Sequence, residues 1–434
     1  MNQIQKYVEL CSEIDGVPIS VLVAEHGSPL FVFSETKLRQ AIRRADNAFR
    51  QRYSDVQFAW SYKTNYLQAV CRVLHQEGAI AEVVSDFEYE KARAGGLCGR
   101  DIIFNGPYKP LAILERAVRD GAKIQVDNLE ELDQLTTLAV KERRSIDVAI
   151  RVFMNAGVTP VWTKFGFDAD DGEAVRIIER IATDRRLRLV GLHTHIGTSI
   201  LTTDAYRIAA TKLIELAEVA RTRCGFEIQY LNLGGGLPSQ CLTRVDGGAG
   251  PTIDDYAETI CSAIRRCWPE NLKLPRLYLE SGRALVDDAG YLIGAVVSAK
   301  RRSPGEPASG YVVDVGTNLL ATAALSDYRV KIARATSDPA RDCTLYGCLC
   351  MNTDVLRQAV PLPSMIAGDH LVFHPVGAYN LTQSMQFISY RPRVVLVTEG
   401  GKVEVIREKE DLNHLEALER LPDHLSSTNR SQFP

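Results

Sequence analysis

The chain has 434 residues, 45% apolar and 24% charged, with a formal net charge of −3 and a pI near 6.3. That length suffices for two domains with their own cores, and the composition excludes a disordered chain. No Lys/Arg-rich stretch offers the basic footprint that nucleic acid or an anionic membrane requires, so neither is expected as a partner and small molecules are.

The N-terminal MNQIQKYVELCSEIDG lacks the basic start and apolar stretch of a signal peptide, and no apolar run approaches the roughly 20 residues of a membrane span. A cytoplasmic location is expected. VPISVLVAEHGSPLFVFS (17–34) holds short β-rich runs that could join a sheet formed later in the chain.

From Val56 onward, β-rich runs alternate with stretches of helical period. The runs are VQFAWSYK (56–63), IAEVVS (80–85), DIIFNG (101–106), KIQVDN (123–128), DVAIRVFM (147–154), LVGLHTHIG (189–197), IQYLNLGGG (228–236) and RLYLESGR (276–283). Between them, segments such as PLAILERAVRDG and DAYRIAATKLIELAEVARTR repeat apolar residues at three and four. Eight βα units predict an α/β fold with a (β/α)8 barrel. A doubly wound open sheet is the alternative, disfavoured by the lack of an early Gly-rich dinucleotide fingerprint.

Polar residues gather at the C-terminal ends of these runs: Lys63, Ser85, Asn105, Asp127, Arg151, His195, Gly234 to Gly236, Glu280 and Arg283. In a barrel those ends meet at one mouth, where barrel active sites lie. After Arg283, closely spaced strand-like segments with turns between them predict an antiparallel β domain. The expected division is a barrel over 30–283, a β domain from 1–29 plus 284–420, and a flexible tail over 421–434.

Ten cysteines occur with no CxxC pair and no zinc-like spacing, so most are expected to be small buried thiols and no metal site is expected.

Three glycines in LNLGGGLP (231–238) directly after a strand read either as a phosphate cradle or as a tight turn. Glu280 and Arg283 in ESGR could be an ordinary surface pair. The two imidazoles of HTHIGT (193–198) fall on one strand face, and His195 is read as a packing or stacking group rather than a zinc ligand. Lys63 alone would be a solvated lysine. Together, an amine, an anion cradle, an acid and a flat ring at one mouth are the parts that hold pyridoxal 5′-phosphate.

The chain resembles the barrel-fold (fold type III) pyridoxal-phosphate decarboxylases, the group acting on diaminopimelate, ornithine and arginine. The ordered motifs SYKTN, EVVSDFE, KFG, HTHIGT, GGG, ESGR, a GxxCxxxD segment and GAY carry this, from GSPLFVFS to Tyr379. The resemblance implies an aldimine at Lys63, His195 stacked on the pyridine ring and Glu280 at its nitrogen. It implies phosphate binding by Thr198, Gly234, Gly235, Gly236, Gly282, Arg283 and Tyr379, with Glu82 and Arg151 also near the cofactor. It further implies Cys350 as proton donor and a homodimer with shared active sites; Cys348 is read as a buried core thiol. Glu280 favours a decarboxylase over a racemase, because an acid at the ring nitrogen keeps the electron sink protonated.

Met351 stands where ornithine and diaminopimelate enzymes have an acid, while Asp354 matches a family aspartate; both are candidate substrate-binding residues. Met351 points to a non-standard or conjugated amino acid, as in the branch acting on siderophore or antibiotic intermediates. A diaminopimelate-like decarboxylase, a racemase and a non-catalytic carrier of the cofactor are the alternatives.

Overall fold

The computed structural model describes residues 8–240, 250–301, 303–321 and 328–426. A helix, α1 (Ile19–His26), precedes β1 (Leu30–Ser34); Ser34 then starts α2 (Glu35–Arg50), its hydroxyl accepting from the Lys37 amide at 3.0 Å.

The eight expected barrel strands form, as β2 (Val56–Ser61), β3 (Ile80–Val83), β4 (Ile102–Phe104), β5 (Lys123–Val126), β6 (Ile146–Phe153), β7 (Leu187–Thr194), β8 (Tyr230–Asn232) and β9 (Arg276–Leu279). Each pairs in parallel with the next, and β9 returns to β2 through Leu277 opposite Val56, so the sheet closes with no edge. The helices between them are α3 (Gln68–Gln76), α4 (Asp86–Ala94), α5 (Leu111–Asp120), α6 (Leu129–Glu142), α7 (Glu173–Asp184), α8 (Asp204–Cys224) and α9 (Ile253–Cys267). Several start where a short polar side chain satisfies free amides: Ser85 for α4, Asn128 for α6, and Thr252 with Asp255 as a capping box for α9.

Strand alternation sorts the barrel interior into layers. Ala59, Ala149, Ile103, Tyr230 and Tyr278 form a buried plug, with the two tyrosine rings edge to face at 5.1 Å. Two residues further along the same strands come Ser61, Arg151, Asn105, Asn232 and Glu280. Two residues of strand rise about 6.6 Å, so this polar layer stands directly above an apolar floor.

The second sheet contains β10 (Gly290–Lys300), β11 (Gly310–Val313), β12 (Arg329–Ile332), β13 (Arg341–Tyr346), β14 (Val355–Leu362), β15 (His370–His374), β16 (Val394–Val397) and β17 (Val403–Arg407), paired mainly antiparallel. β1 belongs here rather than to the barrel, antiparallel to β10 and parallel to β16. The boundary expected at residue 30 therefore moves past Ser34: LFVFS is buried on both faces, and such a run does not reveal which sheet takes it. Short α10 (Arg283–Val286) links the two bodies. Asp423–Ser426 forms a helical turn, while residues 427–434 of the expected tail lie outside the described residues. Among the described residues no helix is long and apolar enough to cross a membrane.

Of the nine cysteines in the described region only Cys71, Cys261 and Cys343 are buried, which corrects the expectation of mostly buried thiols; Cys241 lies outside that region.

At the end of β15, His374 stacks on Tyr291 at 4.3 Å, with Nε2 3.0 Å from the Asp288 carbonyl. Burial pushes its imidazole down to about 4. An unfolded histidine titrates at about 6.5, so between these values the unfolded chain binds more protons and stability is lost as pH falls, by up to about 1.4 kcal/mol per unit. Urea unfolding at several pH values from 7 to 5 should show this slope, and His374→Phe, which keeps the stack, should flatten it by about 1 kcal/mol per unit. An unchanged slope would mean that the folded imidazole is not held neutral.

Candidate active site

Above the polar layer lies a cavity of about 650 Å³ whose walls include Lys63, Glu82, Asn105, Arg151, His195 and Glu280. Thr198, Gly235, Gly236, Gly282, Arg283 and Tyr379 complete its wall. Most of the residues expected to hold a cofactor thus converge. Ser85 instead caps α4, and Asp127 lies behind Arg151, its carboxylate 3.8 Å from the guanidinium.

Glu280 organises the floor. One of its oxygens accepts from Asn232 at 2.6 Å and Asn105 at 2.8 Å, and the other lies 3.3 Å from His193 Nε2. Burial opposes its charge, but His193, Lys63 and the Asn105 hydrogen bond outweigh that and hold the carboxyl well below the usual range. Asn105 also donates to Glu82 at 3.0 Å, so one amide bridges two carboxylates. Glu82 meets Lys63 Nζ and the Ser61 hydroxyl, each at 2.5 Å. Burial works against the Lys63 ammonium, yet Glu82, Tyr379 and Glu280 more than offset it and raise its pKa.

His195 lies one residue beyond the end of β7. Burial, with Arg151 and Lys63 beside it, pushes its imidazole well below the ordinary value, leaving a neutral flat ring. Trp162 faces it at 5.1 Å, tilted by 31°, while Phe165 lies 4.3 Å from the Arg151 guanidinium.

The glycine loop turns because it must. A Cβ on Gly234, whose φ is +64°, would lie 2.5 Å from the Thr194 carbonyl, and one on Gly235 would lie 2.5 Å from that of Glu280. Gly234 makes the turn, and Gly235 and Gly236 reach the cavity wall. Among the described residues the next helix, α9, begins at Ile253, and the donors that the loop itself offers are its backbone amides. Buried Arg283 Nε has no hydrogen-bond partner, as expected of a donor left for a ligand anion. An amine beside an acid, a neutral ring, a buried carboxylate and an anion cradle fit pyridoxal phosphate.

Cys350, Met351 and Asp354 do not line this cavity. Cys350 is exposed and Met351 half-buried. Asp354 is buried with its oxygens taken by the amides of Thr317 at 2.8 Å and Leu349 at 2.7 Å. Within its own chain it braces the loop 347–354. Cys348 is exposed, its thiol 3.4 Å from the Asp314 carbonyl, not the core thiol expected.

Sequence reasoning missed His193, Asn232 and Trp162 as members of the site. Asn232 was within reach, since it follows inward-facing Tyr230 by two. Trp162 lies in a loop, where no period applies.

The pyridoxal-binding domain of the pyridoxal-dependent decarboxylases matches residues 38–287, and the chain belongs to this family. It is a carboxy-lyase acting on an amino acid, and its cofactor is pyridoxal phosphate. It is 30% identical to diaminopimelate decarboxylase of Archaeoglobus fulgidus, over 95% of this chain and 97% of that one. Its identity to the Bacillus subtilis enzyme of that name is also 30%, over 94% of each chain. The structure of M. jannaschii diaminopimelate decarboxylase in complex with L-lysine superposes with a TM-score of 0.87 at 28% identity, covering 97% of this chain and 99% of that one.

Replacing Glu280 by Gln keeps its size and removes its charge. Decarboxylation should slow by about 10²-fold or more, as when a preorganised charge partner is lost, with an unchanged circular dichroism spectrum. A rate within threefold of the parent would contradict the importance given to this charge.

Proposed function

We propose that this chain removes the α-carboxylate of a diaminopimelate-like amino acid, which has a second polar centre at its far end. The observation that carries this is the likeness, over nearly the whole chain, to diaminopimelate decarboxylases, on a cavity that brings together Lys63, His195 and Glu280. It favours that reading over the conjugated substrate of the siderophore branch.

Pyridoxal phosphate supplies an aldehyde that condenses with amines and a ring that takes up the electron pair left when carbon dioxide departs. Lys63 holds the cofactor covalently, and Glu82 beside it accepts and returns the proton of the amine. Glu280 keeps the ring nitrogen protonated, with Asn105, Asn232 and His193 fixing the carboxylate. His195 would lie against the ring, with the Trp162 ring 5.1 Å from its own. Gly234, Gly235, Gly236, Gly282, Arg283, Thr198 and Tyr379 bind the phosphate, and Arg151 adds a buried cation.

Cys350 delivers a proton to the former α-carbon from a second copy of the chain. Two observations support this dimer. Cys350 and Met351 stand clear of their own cavity, and Met385, Phe387, Ile388 and Tyr390 form an exposed apolar run just past Gln383, a residue of the cavity wall. Such a run fits burial against a like surface.

One observation keeps the conjugated substrate as a second reading: Met351 cannot pair with a distal ammonium. Carbon dioxide release from diaminopimelate isomers, ornithine, lysine and conjugated diamino acids separates the two. Diaminopimelate should give the highest kcat/KM, with lysine as product, and Met351→Glu should raise kcat/KM for ornithine. Turnover of conjugated amino acids alone would overturn the first reading.

A further inference from the structure

The buried carboxylate of Asp287, 4% exposed, follows α10 and takes no part in the chemistry described so far. Resting on the reading that Arg283 and Tyr379 bind the phosphate, we infer that Asp287 is a positioning residue. It clamps Arg283 to the strap Gly377–Tyr379 and so sets the phosphate end of the site across the joint between barrel and second sheet.

Both carboxylate oxygens are used, on different partners. One accepts from Arg283 Nη1 at 2.9 Å and the other from the Ala378 amide at 3.1 Å. The Asp287 carbonyl also accepts from the Gly377 amide at 3.1 Å. The strap rides directly on this turn: a Cβ on Gly377 would lie 2.0 Å from the Val286 carbonyl. Its far end is tied to the other side of the cavity, because the Tyr379 amide donates to the Thr64 carbonyl at 2.8 Å and the Thr382 hydroxyl to that of Lys63 at 2.9 Å. The Tyr379 ring lies 5.2 Å from the Arg283 guanidinium. One carboxylate therefore fixes two groups that come from different sheets and must meet one phosphate.

The charge of Asp287 makes this testable. An anion beside a phosphate site repels its ligand, so a residue acting by charge alone would weaken cofactor binding, and its removal would tighten it. A clamp predicts the reverse, since an unanchored guanidinium and strap must be ordered anew by each phosphate. The effect must also depend on the phosphate, so pyridoxal, which has the same ring and aldehyde, should feel little of it.

The experiment titrates the apo form of the full chain with pyridoxal phosphate and with pyridoxal, reading bound absorbance, for the parent, Arg283→Gln, Asp287→Ala and Asp287→Asn. Arg283→Gln should lower affinity for pyridoxal phosphate by about 10- to 100-fold, the range of a hydrogen bond to a charged group, and that for pyridoxal by less than about threefold. Asp287→Ala should show the same selective loss of about tenfold or more, and Asp287→Asn, which keeps an acceptor for the Ala378 amide, a smaller one. If Arg283→Gln leaves the ratio of the two affinities unchanged, the phosphate reading fails and takes this inference with it. If Arg283→Gln collapses the ratio while the Asp287 variants bind pyridoxal phosphate as tightly as the parent or more tightly, the clamp alone is overturned. Equal loss of both ligands in the Asp287 variants also overturns it, because a purely structural role would not distinguish them.

Discussion

A carboxylate held ionised above an apolar floor is the constraint on which this site depends. Glu280 sits at the top of β9 with almost no solvent to solvate it. A charge so placed must be met by fixed partners, and the barrel supplies them from three other strand ends: Asn105 and Asn232 donate hydrogen bonds, and His193 Nε2 lies 3.3 Å away. The plug of Ala149, Ile103, Tyr230 and Tyr278 beneath keeps water from the lower side. The resulting field favours a cation above Glu280, which is what a protonated pyridine ring offers.

The same arithmetic of alternating strand positions made much of this legible. Eight βα units were readable because helix and strand periods alternate clearly from Val56 onward, and the strand ends announced Lys63, Glu280 and the glycine loop. What failed depends on contacts distant in sequence. LFVFS reads as a strand, but its partners in β10 and β16 lie over 250 residues away, so its sheet could not be named. The histidines of HTHIGT were read as a pair on one face. The strand ends between them, so His193 packs inward against Glu280 while His195 faces the cavity. Asp354 matched a motif by spacing, and spacing does not show that its carboxylate accepts from the Thr317 and Leu349 amides.

The second sheet completes the site as much as it flanks it. Tyr379, Gln383 and the amides of the strap come from that sheet's connections, and their anchors reach the carbonyls of Lys63 and Thr64. Loop 347–354, braced by Asp354, stands outside its own cavity with an exposed thiol. A site assembled from two sheets, and on our reading from two chains, excludes water only once all are in place, which suits an electron-rich centre that a stray proton would quench.

The most direct test of this account is the location of the cofactor bond. Holoenzyme reduced with borohydride, digested and mapped by mass spectrometry should carry a pyridoxyl group on the peptide containing Lys63 and nowhere else. A label on Lys109 or Lys164, or a chain that retains no label, would contradict the placing of the chemistry at the end of β2.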